Sequence, residues 1–273
     1  MIKPSMRFFI RFCPALILST LYCLNLLAGP QIINGEEVTN PLDPVAKSTV
    51  RIRGHITRAS FTCSGVLIRQ DLVLTAGHCL GPGWATIEIF FSDGSGPITL
   101  SDQIRPDNYN PKAGPLESWN DIALLKLKVA APSEFTPVGF IAQAESIFKG
   151  QNLLFAGYGQ STTSPDSTDG LGVLRKITQS VLDPQLTSSE FLVNLRGGGP
   201  CFGDSGGPAF VQTPQGLKLA GITSRQTTND LDPLNPKIYL CTNEIIYTNV
   251  QSQMTWLKSQ MLNFLPNKQT KKD

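Results

Sequence analysis

The sequence predicts an all-β protein of short strands ending in one C-terminal helix, and three observations carry that prediction. Gly (24) and Pro (20) are abundant, and charged residues make up only 16% of the 273 positions, against about a quarter in an average soluble protein. Segments rich in β-branched, aromatic and aliphatic residues alternate with Gly, Pro, Asn, Asp and Ser, the pattern of strands joined by turns. Only at the end does the spacing change: Val250, Met254, Leu257, Met261 and Phe264 recur every three or four positions with Trp256 beside them, the stripe of an amphipathic helix. A net charge of +2, evenly spread, argues against a nucleic-acid or acidic-lipid partner.

The chain opens with Lys3, Arg7 and Arg11, an apolar run from Phe12 to Leu27, and small residues at Ala28 and Gly29. This is the layout of a secretory signal with cleavage near Ala28, the run being short for a permanent span. A membrane anchor or a buried helix are the other readings. Cys23 follows Tyr22, a poor match to a lipidation signal. Loss of the signal removes Cys13 and Cys23 and leaves Cys63, Cys79, Cys201 and Cys241. An even number in an exported chain implies disulfides; four cysteines permit three pairings, and proximity in sequence favours 63 with 79 and 201 with 241. A zinc site competes, but the chain has no Cys-x-x-Cys pair and only His55 and His78 as imidazoles.

Taken in order, Phe61 to Ile68 and Leu72 to Thr75 read as a hairpin around Arg69-Gln70-Asp71. The second strand runs into Thr75-Ala76-Gly77-His78-Cys79, which puts His78 at a strand end. Thr86 to Phe91 is a strand, and Ser92 to Ser118 reads mostly as loops. Asp121 stands at the entrance to an apolar strand, where Asp is commonly a turn former. A boundary falls near 130 to 145. Further strands are expected at Asn152 to Gly157, Leu174 to Leu182, Glu190 to Leu195, Pro208 to Val211, Leu217 to Ser224 and Tyr247 to Val250. Gly159 to Gly172 and Gln226 to Leu240 read as loops, the latter because Asp232-Pro233 and Asn235-Pro236 suit no central strand. Gly203-Asp204-Ser205-Gly206-Gly207-Pro208 alone reads as a glycine turn or as an exposed nucleophile.

Three blocks in this order, Thr75-Ala76-Gly77-His78-Cys79, Asp121-Ile122-Ala123-Leu124-Leu125 and Gly203-Asp204-Ser205-Gly206-Gly207-Pro208, resemble the signature blocks of the trypsin/chymotrypsin-like serine peptidase family. The match runs from Ile32 to the terminal helix. The order His, Asp, Ser separates it from subtilisin-like and α/β-hydrolase arrangements of the same chemistry. Separations of 43 residues between His78 and Asp121 and 84 between Asp121 and Ser205 suit two successive barrels with the site between them. The resemblance implies two six-stranded antiparallel Greek-key β-barrels followed by the C-terminal α-helix. It also implies serine endopeptidase activity through an acyl-enzyme.

By the same resemblance Ser205 is the nucleophile, His78 the base that takes and returns its proton, and Asp121 the group that orients the imidazole and stabilises its charged form. The backbone N–H groups of Gly203 and Ser205 form the oxyanion hole. Ile32-Ile33-Asn34-Gly35 is similar to the family's mature N-terminus, so Ile32 is expected to pair with Asp204 after proteolysis. Gln31 precedes it where trypsin-like activators need Arg or Lys. At the substrate pocket, trypsin-like members carry Asp six residues before the nucleophile; this chain has Gly199. Ile245 falls where a Gly is usual, Gln226 near the pocket wall, and Ser224 in the family's Ser-Trp-Gly segment, with Arg225 replacing the Trp. A substrate Arg or Lys has no carboxylate to meet there, so cleavage after small or uncharged side chains is expected.

The expected organisation is a signal peptide (1–28), a short propeptide (29–31) and a peptidase domain (32–265), then a tail (266–273). The domain divides into barrels at about 32–142 and 143–250 and a helix at about 251–265. The partners implied are protein or peptide substrates and protein protease inhibitors, for a secreted monomer with no nucleic acid, no stable membrane association, no cofactor and no metal. Two other functions share these residues: a catalytically inactive homologue serving as a binding or regulatory module, and an esterase.

Overall fold

Hydrophobic segments of strand length, each bounded by a turn residue, have to bury one face without leaving exposed sheet edges, and closing a sheet on itself meets both demands. The computed structural model describes residues 32–56, 59–81, 86–114, 117–142, 144–164, 167–236 and 238–265; the expected signal peptide, propeptide and tail lie outside them. The first barrel contains β2 (Thr49–Ile56), β3 (Ala59–Arg69), β4 (Leu72–Thr75), β5 (Thr86–Phe90), β6 (Ile98–Ile104) and β7 (Ala123–Leu127), closed in the order β2-β3-β4-β7-β6-β5. It is preceded by β1 (Glu36–Glu37) and the single-turn helix α1 (Pro44–Ser48), whose first turn is capped by the Asp43 carboxylate on Val45 N.

The second barrel contains β9 (Asn152–Gly157), β10 (Arg175–Thr187), β11 (Glu190–Asn194), β12 (Pro208–Thr213), β13 (Gly216–Gln226) and β14 (Glu244–Asn249). Its order is β10-β11-β14-β13-β12-β9, and β9 pairs back onto β10 to close it. The short β8 (Gly139–Phe140) adds a parallel pairing to β13. Phe155, Tyr247 and Phe191 form its aromatic centre, with ring centroids 4.8 and 5.3 Å apart. The fold is therefore two six-stranded antiparallel barrels.

The chain then ends in α2 (Met254–Asn263), which buries Leu257 and packs Met254, Trp256, Met261 and Phe264 against the first barrel's core. Arg69, at the end of β3, donates to the last carbonyls of this helix, Met261 O at 3.0 Å and Phe264 O at 2.9 Å. A cation there satisfies groups that a helix leaves open. The helix thus ties the end of the second barrel to the first. No helix among the described residues is long and apolar enough to cross a membrane.

Three features depart from the sequence expectation. β2 opens the first barrel in a stretch where no strand was foreseen, although Val50 and Ile52 alternate with Arg51, Arg53 and His55 as a half-buried strand does. β6 lies inside the expected 92–118 loop; most of its residues are exposed or half-buried, so its apolar signal is weak. β10 continues past Leu182 through Asp183-Pro184 because a register shift between Val181 and Asp183 absorbs the proline.

Candidate active site

The imidazole is placed by a short turn. β4 delivers the chain into a 3-10 turn at Gly77–Cys79, and the Cys63–Cys79 disulfide pins that turn to β3. Space is tight at Gly77: a Cβ there would stand 3.1 Å from Tyr109 Cδ2 and 3.2 Å from Ile122 O. Arg105 braces the same turn from β6's end, donating through Nη1 to Gly77 O and Leu80 O at 3.2 and 3.1 Å.

Asp121 faces this turn just before β7. Asn120 ahead of it has φ +50, a conformation that Asn tolerates better than most residues. The Asn120 Oδ1 accepts from Ser189 Oγ (3.2 Å) on the second barrel and Gln253 Nε2 (2.9 Å) beside α2. The carboxylate itself is fully buried. Its Oδ2 accepts from Ser224 Oγ and lies against His78 Nδ1, both at 2.7 Å, while Oδ1 takes the His78 backbone N–H at 2.8 Å.

Burial works against the Asp121 charge, but His78 and the hydrogen bonds from His78 and Ser224 outweigh it and hold the carboxyl below its ordinary range. Burial likewise pushes His78 down; the Asp121 charge and hydrogen bond override it and leave His78 above its ordinary value, with Arg225 opposing. The imidazole is held in one orientation, with its side chain 32% exposed toward the cleft.

Ser205 sits on a turn held by both barrels. Its carbonyl accepts Ser64 N from β3 at 2.8 Å, and the next residue, Gly206, donates to Thr223 O of β13 at 2.8 Å. Gly206 has φ +79, and a Cβ there would overlap Thr75 Oγ1. Gly203 has φ +95, which leaves its N–H and that of Ser205 without an acceptor among the described residues. No hydrogen bond joins His78 Nε2 to the Ser205 hydroxyl in this unliganded chain; such bonds commonly tighten only with substrate bound.

Ser205 opens onto a cavity of about 570 Å³ that is also lined by Ser224, Gln226, Ile245, Trp119 and Phe202. Ile245 is buried in its wall, and Gln226 crosses to donate to Pro200 O at 3.1 Å. Gly199 does not line this cavity: Leu195 covers it so closely that a Cβ at Gly199 would overlap Leu195 Cδ2. Leu195 does not line the cavity either.

Asp204 is fully buried and accepts two backbone N–H groups, Gly159 to Oδ1 at 2.7 Å and Cys201 to Oδ2 at 2.9 Å. No cation among the described residues forms an ion pair with it. Burial pushes its carboxyl up to about 7 against those two hydrogen bonds and the charge of Arg175. Ile32 is buried, and the following residue, Ile33, donates to Gly199 O at 3.1 Å.

The second disulfide joins Cys201 to Cys241 beside the cavity. Both pairings favoured by proximity are therefore present. One metal-like grouping occurs among the described residues, Cys63, His78 and Cys79, but its sulfurs are bonded to each other, so it offers a single imidazole.

Sequence reading missed Glu190 and Trp119. Arg225 makes a two-pronged ion pair with the buried Glu190 carboxylate, at 2.7 and 3.0 Å, and its guanidinium lies 4.0 Å from the Trp119 ring centre. The absence of the family's Trp at position 225 was the available signal.

Comparison with known proteins bears on this site as a whole. The chain is 28% identical to mouse (Mus musculus) cathepsin G, over 76% of its own length and 77% of that protein. It is also 28% identical to human (Homo sapiens) granzyme M, over 75% and 83%, and 24% identical to mouse chymotrypsin-C, over 85% and 89%. The solved structure of HL collagenase has the same fold with a TM-score of 0.66, at 20% identity over 84% of this chain and 98% of that one. The Trypsin family pattern matches residues 32–256. A His paired with a buried Asp on one barrel, a glycine-flanked serine on the other and a match spanning both thus place the chain in the trypsin family of serine peptidases, as a serine-type endopeptidase.

Proposed function

We propose that this chain is a secreted serine endopeptidase, activated by cleavage before Ile32, that cuts peptide bonds after small or uncharged side chains. The observation that carries the reading is the fully buried Asp121 carboxylate, bonded to both His78 and Ser224 beside the cavity that Ser205 lines. In this reading His78 Nε2 takes the Ser205 proton as Oγ bonds to the scissile carbonyl carbon. Asp121 stabilises the imidazolium, and the Gly203 and Ser205 N–H groups receive the oxyanion. The C–N bond then breaks as His78 returns the proton to the leaving amine. Water, deprotonated by the same imidazole, frees the acid and restores Ser205.

Two observations support activation at Ile32. Asp204 is a buried carboxylate without an ion-paired cation among the described residues. Ile32 carries φ +35, a strained backbone for a β-branched residue. In this reading cleavage before Ile32 relieves that conformation and creates an ammonium to pair with Asp204.

The preference for small uncharged residues is supported by Ile245 in the cavity wall. Glu244, the carboxylate that does line the cavity, already accepts from Thr227 Oγ1 at 3.2 Å and Asn229 Nδ2 at 2.9 Å. The two disulfides suit an exported chain.

One experiment joins these claims. Protein starting at Ile32 is treated with a fluorophosphonate and then profiled on a peptide library, with Ser205→Ala as control. Serine labelling, lost in the control, with cleavage after Ala, Val or Leu is expected. Preference for Arg or Lys refutes the pocket reading, and absence of labelling favours the inactive homologue. Turnover of esters without peptides favours the esterase.

A further inference from the structure

Arg225 occupies an unusual position for a charged residue: 13% of its side chain is exposed, and its partner carboxylate is fully buried. Glu190 is itself over-determined. Besides the two guanidinium bonds, Oε1 accepts the Trp119 N–H at 3.0 Å and Oε2 accepts Thr187 Oγ1 at 3.2 Å. The Trp119 ring covers one face of the guanidinium. A planar, two-pronged donor held on three sides has little freedom to turn.

The free edge of that donor points at the triad. Arg225 Nη1 donates to Ser224 Oγ at 3.3 Å, and Ser224 Oγ donates to Asp121 Oδ2 at 2.7 Å. A hydroxyl has one proton; a donor on its lone pair leaves that proton for the carboxylate.

We propose that the Glu190–Arg225 ion pair is a positioning element for the reaction, fixing the Ser224 hydroxyl on Asp121 and setting the electrostatic surroundings of His78 from the cleft side. The inference rests on the peptidase reading of Ser205, His78 and Asp121. Arg225 touches no reacting atom; it acts through Ser224 and through its charge. The other charged or titratable groups packed around the imidazole are Asp121, on the strand entrance, Tyr109, against Gly77, and Arg105, stacked 4.6 Å over Tyr109. Tyr109 is pushed up to about 12, mainly by burial, so it does not titrate where His78 does.

The two members of the pair have opposite charge, which gives the test its signature. Removing the cation with Arg225→Gln favours the imidazolium, and the acid limb of kcat/KM moves to higher pH. Removing the anion with Glu190→Gln leaves Arg225 uncompensated, and the limb moves to lower pH. The double variant returns toward wild type. Arg225→Lys keeps the charge but not the fork, so kcat falls roughly tenfold with the acid limb and KM unchanged, the size of effect expected within one hydrogen-bonded network.

These variants are measured as protein starting at Ile32, on an N-acetylalanine thioester, a substrate with a single side chain, and on long peptides. Melting temperatures check folding; if Arg225→Gln does not fold, Glu190→Gln and Arg225→Lys decide by the same criteria. Acid limbs that stay in place or move in the same direction overturn the inference. So does an unchanged kcat on the short substrate with losses confined to long peptides, which would make the pair only a substrate wall. Wild-type protein that fails to react with a fluorophosphonate overturns the peptidase reading itself, whereas reactive wild type with unshifted variants overturns this inference alone.

Discussion

Asp121 and Asp204 are both completely buried carboxylates in the seam between the barrels, yet their surroundings drive them in opposite directions. Asp121 has an imidazole, a hydroxyl and a backbone N–H around it and is held below its ordinary range. Asp204 has two backbone N–H groups and is pushed up to about 7. Burial disfavours the charge on both. The difference is the cation: hydrogen bonds from neutral donors do not offset the loss of water around a carboxylate, and an adjacent positive charge does. The triad end of the seam is electrostatically finished in the intact chain, whereas under the proposed activation the Asp204 end is finished only by a new N-terminus.

The largest effect is expected from breaking the finished end. Asp121→Asn leaves Ser224 and the His78 turn in place but removes the charge and the acceptor pattern that fix the imidazole. A fall in kcat of roughly 10⁴ is expected, the cost of presenting the wrong tautomer. Without the carboxylate His78 drops from its raised position, so the residual activity of the variant has its acid limb at lower pH than wild type. A kcat and pH profile on a peptide substrate reads both effects. Retained activity would show that the His78–Asp121 contact is structural only.

How much of this was legible in the sequence depends on the distance over which the relevant forces act. The Cys63–Cys79 hairpin, the strand entrance at Asp121 and the glycine turn around Ser205 are local constructions, each written in adjacent residues. The disulfide pairing was favoured by proximity in sequence, the barrels were implied by the family resemblance of these blocks, and the terminal helix was legible in its own spacing of three and four. β6 was not legible because it sits half-exposed, and selection for burial leaves little imprint on Ile98–Ile104. Glu190 was not legible because it meets Arg225 across 35 residues of chain. What makes it the partner is a shared buried site, which no spacing rule encodes.

The unfinished end gives a pH-dependent prediction of opposite sign to the triad's. Asp121, held low, contributes stability that is present above about pH 4 and lost as pH falls through its depressed value. Asp204 in the uncleaved chain is raised from 3.8 to about 7. The folded form therefore holds a proton that the unfolded form has lost, and stability declines as pH rises from about 4 to about 7, by roughly 4 kcal/mol in all. Cleavage before Ile32 supplies the cation, so protein starting at Ile32 lacks this decline and is more stable than the uncleaved chain at pH 8. Melting temperatures of both forms between pH 4 and 8 measure it. Asp204→Asn flattens the uncleaved profile, and in the cleaved form it lowers kcat by roughly 10² to 10³ through a misshapen oxyanion hole. Parallel profiles for cleaved and uncleaved protein would falsify the pairing.

The smallest effect isolates what one distant cation does for Asp204. Arg175 is buried and spends Nη1 on Gly170 O and Val173 O, at 2.7 and 2.9 Å, while its Nε has no hydrogen-bond partner among the described residues. Its charge still pulls Asp204 down through space. Arg175→Gln removes that pull without touching Asp204, so in the uncleaved chain the decline of stability extends to higher pH. The lost carbonyl contacts add about 1 to 3 kcal/mol of destabilisation at every pH, a few degrees in melting temperature for each kcal/mol in a chain of this size. The two contributions separate because only the first depends on pH. In protein starting at Ile32 the pH-dependent part is expected to vanish, the adjacent ammonium dominating the distant guanidinium, while the constant part remains. A shift that survives cleavage unchanged would mean that Ile32 does not reach Asp204, and the contrast between the two carboxylates would then belong to the mature enzyme as well.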